Sequence, residues 1–214
     1  MRLTCLWAML LLVGELVAAD VSKVTHWDFE DGQLEKLPKG WTPARTGEGE
    51  GSVWKVFEDD SSPKGSKVLA QTAAGSGPLF NLCIADGTSF QNGEITVSLK
   101  AVTGKKDQGG GLVWRLIDAN NYYIARLNPL EDNYRLYKVV SGKRAQLATK
   151  NVKAGTGEWH TITVRQTSGN IQCLLNGKQE LEAKDDTFDK PGRIGLWTKA
   201  DAQTYFDDLV VSPR

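Results

Sequence analysis

The sequence predicts an all-β chain folded as an antiparallel β-sandwich or jelly roll. Apolar and polar residues alternate with a period of two in run after run, and no apolar pattern of helical period lasts beyond a turn or two. Gly, Asn, Asp and Pro punctuate these runs at short intervals. The gaps are too short for βαβ crossovers, so neighbouring strands must run antiparallel.

The segments follow in order. Lys36 to Ser66 is loose, with Pro38, Pro43, Pro63 and many glycines, and reads as one long connection with a short strand at Val53–Phe57. In GEITVSLKA, Ile95, Val97, Leu99 and Ala101 share one face and Thr96, Ser98 and Lys100 the other. GLVWRLI, NYYIARLN, NYRLYKVV, HTITVRQ and NIQCLLN alternate in the same way. Leu175-Asn176-Gly177-Lys178 is a hairpin signal, because Asn-Gly accepts the positive φ angles of a type I′ turn. Asn120-Asn121, Ser141-Gly142 and Ser168-Gly169-Asn170 mark further turns. A Gly-rich strand with Trp197, Lys199 and Asp201 and a last strand, TYFDDLVV, close the chain.

The chain has 214 residues, 40% hydrophobic and 24% charged. That suits one globular domain over 20–214, with no internal repeat, after removal of a leader. Residues 1–19 read as a secretory signal peptide. Arg2 supplies the charged start, Leu3 to Val17 the apolar core and Val17-Ala18-Ala19 the small residues at the cleavage site. A membrane anchor is the alternative, but the run is short and broken by Gly14 and Glu15. The mature chain is expected to be exported, periplasmic or extracellular, monomeric and free of the membrane. Lys plus Arg and Asp plus Glu both total 26, and the cations are scattered, so there is no footprint for nucleic acid. Cys5 leaves with the leader. Cys83 and Cys173 sit in apolar runs, as buried thiols or as a disulfide, and their spacing fits no metal or redox motif.

Tyr122, Ile124, Arg126 and Asn128 share one side of their strand, and Asn133, Arg135, Tyr137 and Val139 one side of the next. Planar donors on a concave sheet face, near aromatic rings, suit the vicinal oxygens and C–H faces of a sugar. The ordinary alternative is cross-strand salt bridging of Arg126 with Glu131 or Asp132. Trp197, Lys199 and Asp201 share a side if their strand stays extended. They form either a platform with two charges or a core ring beside a surface pair. Leu112, Trp114 and Leu116 read as core, which leaves Arg115 to face the cleft. The expected substrate-binding residues are therefore Arg115, Arg126, Asn128 and Lys199. Glu131 and Asp201 are the candidate catalytic acids, with Asp132 beside them. His160 reads as a packed residue rather than a general base, and two distant histidines build no zinc site.

From about Trp27 to Val211 the chain resembles the concanavalin A-like lectin/glucanase superfamily and, within it, the 3-keto-disaccharide hydrolase family. The residues that carry the resemblance are WDFEDG with Gly40-Trp41, GGGLVWRLIDANNYYIARLNPLEDNYRLYKVV, GEWHTITV, LLNGKQELEAKDDTF and GRIGLWTKADAQTYFDDLVV. The resemblance implies a secreted or periplasmic jelly roll acting on oxidised, 3-keto glycosides, with a carbohydrate partner and no required cofactor. A non-catalytic, lectin-like carbohydrate-binding module is the alternative. It also implies terminal strands side by side and a structural Ca²⁺ near Asp28, Glu30 and Asp208. The Glu-x-Asp-x-x-Glu motif of family 16 glucanases, which sets two carboxylates about 5–5.5 Å apart, is missing: Glu94 is followed by Ile-Thr-Val-Ser-Leu. Where the family resemblance implies Asn-Ser-Gly ahead of the central Arg strand, this chain has Gln108-Gly109-Gly110-Gly111.

Overall fold

Period-two alternation becomes two stacked antiparallel sheets. The structure, a computed structural model, describes residues 23–75 and 77–214. The expected signal peptide, 1–19, lies outside the described residues. Fifteen strands are present: β1 Thr25–Trp27, β2 Trp41–Thr46, β3 Trp54–Glu58, β4 Lys67–Gln71, β5 Phe80–Ala85, β6 Gly93–Thr103, β7 Gly110–Asp118, β8 Asn121–Asn128, β9 Asn133–Val140, β10 Lys143–Asn151, β11 Trp159–Thr167, β12 Asn170–Leu175, β13 Lys178–Lys184, β14 Arg193–Lys199 and β15 Gln203–Pro213. One sheet has eight strands in the order β13-β12-β11-β6-β15-β4-β3, with β1 also paired to β15. The other has seven, in the order β10-β9-β8-β7-β14-β5-β2. All of these pairings are antiparallel, and the described residues contain no helix.

The core lies between the sheets. Ile95, Val97 and Leu99 of β6 face Leu112, Trp114, Tyr123, Ala125 and Leu127 of β7 and β8 across it. Cys83 and Cys173 are buried in the same core as free thiols. Asn176 and Gly177 have φ of 49° and 79°, as the expected type I′ turn requires. The segment 36–66 carries more order than its prolines suggest. Its expected strand appears as β3, but β2 also forms and pairs Trp41–Thr46 with β5. Pro43 is tolerated because β2 is an edge strand. The terminal strands do lie together, with Thr25 opposite Val211 and Trp27 opposite Leu209.

A second, smaller apolar cluster covers part of the outer face of the seven-stranded sheet. It contains Phe80, Leu82, Val113, Tyr122, Ile124, Tyr137 and Trp197. The glycines at the start of β7 let neighbouring backbones approach closely. A Cβ on Gly111 would stand 1.9 Å from the Ala125 carbonyl oxygen. Gly111→Ala should therefore destabilise the fold by about 1–3 kcal/mol, as an overpacked site with no free direction. Urea unfolding would show a lower midpoint at unchanged slope, and an unchanged midpoint would remove this constraint.

Candidate functional site

The polar end of that outer face is organised by a residue that strand patterning does not reach. Asp107 lies in the connection from β6 to β7 and is fully buried. Its Oδ1 accepts from Arg126 Nη2 at 2.7 Å and Asn128 Nδ2 at 3.1 Å, and its Oδ2 accepts from Lys199 Nζ at 2.8 Å. Strands β8 and β14 are thus tied to one carboxylate. A second carboxylate follows in the β8–β9 turn. Glu131 Oε2 accepts from Asn133 Nδ2 at 3.0 Å and from Arg126 Nη1 and Arg135 Nη1, each at 3.3 Å. The alternative of a salt bridge from Arg126 to Glu131 therefore holds, and Arg126 also pairs with Asp107 at the shorter distance.

The environment acts clearly on Glu131. Burial alone would raise its pKa, but the hydrogen bond from Asn133 and the charges of Arg126 and Arg135 outweigh it and hold the carboxyl below its ordinary range. The face nevertheless keeps unspent capacity. Among its buried polar atoms, Arg126 Nε, Arg144 Nη1 and Asn133 Oδ1 have no protein partner. Arg144 spreads over the aromatic cluster, with its guanidinium carbon 4.3 Å from the Tyr137 ring centroid and 5.1 Å from that of Phe80. Four cations (Arg126, Arg135, Arg144 and Lys199) here stand against two carboxylates. Beside Glu131, an open depression of about 460 Å³ is lined by Asp132, Asn151, Val152 and Lys153.

The structure brings Arg126, Asn128, Glu131 and Lys199 together and leaves the other expected residues elsewhere. Arg115 does not face the cluster. Irregular register around it and a φ of 45° turn its side chain out of the simple alternation. Its guanidinium donates instead to the carbonyls of Gln91 at 2.7 Å, Ser168 at 2.9 Å and Phe188 at 2.5 Å, tying loops together at the end of the sandwich. Asp201 lies beyond the end of β14 and accepts the backbone N–H groups of Lys105, Lys106 and Asp107 at 2.9–3.0 Å. Burial would raise its pKa, but these bonds outweigh it and the carboxyl sits below its ordinary range. Asp201 thus holds the loop that presents Asp107. Trp197 is fully buried, so it offers no open platform. Asp132 is in the turn with a φ of 49°. His160 is packed, with Nε2 3.3 Å from the Gly155 carbonyl and Nδ1 3.2 Å from Asn176 Nδ2. Glu94 pairs with Arg165 at 2.6 Å on the other sheet.

The three acids expected to hold Ca²⁺ serve other partners. Asp208 Oδ1 meets His26 Nε2 at 2.7 Å. The Glu30 carboxylate accepts the N–H groups of Ser66 and Lys67, and Asp28 accepts that of Glu30. Lys67 Nζ donates to the carbonyls of Glu30 at 2.8 Å and Gly32 at 3.0 Å. Two carbonyls beside these acids thus meet an internal ammonium. Among the described residues no three His, Cys, Asp or Glu side chains converge on a metal-sized site. Calcium takes six to eight oxygens, and Asp207 Oδ1, buried beside Asp208, is an acceptor without a protein partner.

Two stacked antiparallel sheets make the fold a jelly-roll β-sandwich. The chain belongs to the 3-keto-alpha-glucoside-1,2-lyase-like domain family, whose model matches residues 28–212. In structure it is similar to the carbohydrate-binding module CBM66 from Bacillus subtilis, with a TM-score of 0.66 and 18% identity over 81% of this chain and 96% of that one. It is also similar to a beta-glucanase from Bacillus licheniformis, with a TM-score of 0.60 and 12% identity over 92% and 100%. Domain 4 of AbnA, a GH43 extracellular arabinanase from Geobacillus stearothermophilus solved with arabinotriose, gives 0.59 and 15% over 91% and 94%. At these identities the likeness is one of fold. Comparison with curated protein sequences gives no match.

Two outcomes test this geometry. Asp107→Ala should lower stability by about 3–5 kcal/mol, because Arg126 would stay buried without its counter-charge. Asp107→Ala combined with Arg126→Met should cost less than Asp107→Ala alone, and an additive result in denaturant unfolding would contradict the pairing. The titration of Glu131, followed by NMR, should have its midpoint below the ordinary 4.5 and move up in Arg135→Ala. A depressed folded-state value means that the stability Glu131 adds is present above its unfolded value. That stability is lost as pH falls through the folded one.

Proposed function

We propose that the domain recognises a glycoside at the polar end of the outer face of the seven-stranded sheet. The observation that carries this reading is the set of unspent groups there: Arg126 Nε, Arg144 Nη1 and Asn133 Oδ1 lack protein partners, and the partly exposed Arg135, Lys199 and Glu131 surround them. Guanidinium and amide groups in this arrangement offer directed hydrogen bonds to vicinal or carbonyl oxygens. The CBM66 and AbnA-domain likenesses support a carbohydrate ligand, and the family match supports a 3-keto glycoside among the candidates. The signal-like residues 1–19 support action outside the cytoplasm.

Recognition is favoured over acid catalysis because both expected acids, Glu131 and Asp201, sit below the ordinary carboxylate range. Neither holds a proton to give a leaving group at neutral pH. The carboxyl that burial pushes up is Asp207, on β15 of the other sheet. A second reading, turnover of a 3-keto glycoside, is favoured by the family match and by Glu131, 40% exposed beside two guanidiniums. Ionised Glu131 would take the proton on C2, acidified by the C3 ketone. Arg126 or Arg135 would stabilise the enolate oxygen as the C1–O bond breaks and the aglycone leaves with its electron pair.

Calorimetry of the mature chain with 3-keto-glucosides, 3-keto-disaccharides and their unoxidised counterparts tests both readings, with products followed by NMR. The expected result is saturable binding without product, weakened in Arg135→Ala by the loss of a charge-assisted hydrogen bond, about 1.5–3 kcal/mol. Absence of binding by all of these sugars would overturn recognition at this face. Product formation abolished by Glu131→Gln would establish the second reading instead.

A further inference from the structure

The WDFEDG and Gly40-Trp41 segments build a different hollow, which shares no residue with the cluster around Arg126. It measures about 540 Å³ and lies between the β1 end and the segment leading into β2. That is within the range of about 300–1,000 Å³ typical of small-molecule sites. Its aromatic wall is a packed trio. Trp41 and Phe29 are buried with ring centroids 5.6 Å apart, and half-buried Trp27 meets Trp41 edge-on at 5.9 Å and 73°. The rim is polar and unpaired. Asp31, Gln33, Lys36 and Lys39 line it, all exposed, and none has a side-chain hydrogen bond or ion pair among the described residues.

The backbone here is held in costly conformations. Phe29 and Glu35, at the two ends of this loop, have φ of 58° and 61°. A bulky aromatic in the left-handed region is a true outlier, and such outliers gather at ligand sites. At Phe29 the conformation turns the ring onto Trp41 and lets the Phe29 carbonyl accept from Gly32 N–H at 2.9 Å. Trp27 also walls a second hollow of about 520 Å³, where Asp86, Ser89, Phe90 and Pro213 are among the lining residues. One half-buried indole therefore stands between two hollows on the same edge of the sandwich.

We propose that this edge groove is a glycan-binding site in its own right, taking a neutral oligosaccharide stacked on Trp27. A pyranose presents an apolar C–H face to an indole and a ring of hydroxyls to the rim. Hydroxyls both donate and accept, so a neutral chain can use the carboxylate of Asp31 together with the ammonium groups of Lys36 and Lys39. The two hollows carry Lys23, Lys36 and Lys39 together with Asp31 and Asp86, so a charged chain of either sign meets like charge along the groove. A hollow on each side of the platform suits linked sugar rings rather than a single one.

The test follows the tryptophan indole N–H resonances by ¹H–¹⁵N NMR while glucose, maltotriose, cellotriose and xylotriose are added, with polygalacturonate as a charged probe. The expected result is a saturable shift of the Trp27 and Trp41 signals by a neutral trisaccharide and a weaker response to glucose. Affinity should fall about tenfold in Trp27→Ala, recover in part in Trp27→Phe, and stay unchanged in Arg135→Ala. Unmoved Trp114 and Trp197 signals would verify that Trp27→Ala keeps its fold. No shift with any neutral probe, a response to polygalacturonate alone, or binding that survives Trp27→Ala would each overturn the proposal. Loss of binding in Arg135→Ala with retention in Trp27→Ala would place the sugar on the outer face and leave only the earlier reading standing.

Discussion

One buried carboxylate organises the polar face of this sandwich. Asp107 has no exposure to solvent, and its two oxygens serve Arg126, Asn128 and Lys199. Placing a charge there is costly unless geometry and counter-charge compensate, and removing one partner strands the others. The loop that carries Asp107 is therefore fixed independently. Asp201 gathers three consecutive N–H groups of that loop, including that of Asp107 itself. The chain of dependence runs from Asp201 to the loop, from the loop to Asp107, and from Asp107 to the two strands that bear Arg126, Asn128 and Lys199. Asp201 thus positions the site without touching the groups that a ligand would meet.

The fold was largely legible because period-two patterning and turn chemistry are local. β6, β8, β9 and the Asn176-Gly177 hairpin follow directly from which residues alternate and which accept positive φ. β2 was not legible. Its strand character comes from pairing with β5 at a sheet edge, and Pro43 and the surrounding glycines hide it in the sequence. Arg115 was misread for a related reason. Alternation holds only while register does, and the irregularity between Trp114 and Asp118 redirects the side chain to distant carbonyls.

The site was half legible. Arg126, Asn128 and Lys199 sit on regular strands, so their shared face could be read from spacing. Asp107 lies in a loop, where spacing says nothing about direction, and its partners are 19 to 92 residues away in sequence. The available signal was indirect: a lone acid just before Gly109-Gly110-Gly111, glycines that let the start of β7 press against β8 and β14. The partners of the acids near the termini are a similar non-local fact. Acidity near both termini was visible, but Lys67 as an internal cation on the Glu30 and Gly32 carbonyls was not.

Arg144 marks the boundary between the two halves of the outer face. Its guanidinium lies over Tyr137, Phe80 and Trp197, so it closes the apolar half from solvent. Burial lowers its pKa most, with the charge of Arg126 adding to that effect against Tyr137, Asp107 and Glu131. A guanidinium remains protonated under such shifts. One of its terminal nitrogens nevertheless lacks a protein partner, although it is buried. Asp107 and Glu131 act on it through their charge, without a direct hydrogen bond. Both are instead committed to Arg126, Asn128, Lys199, Asn133 and Arg135. The face is thus left with more cationic donors than acceptors, beside an aromatic floor already roofed over. Such a surface offers hydrogen bonds at its polar end and no open ring for stacking, and the half-buried indole of Trp27 stands apart from it on the sandwich edge.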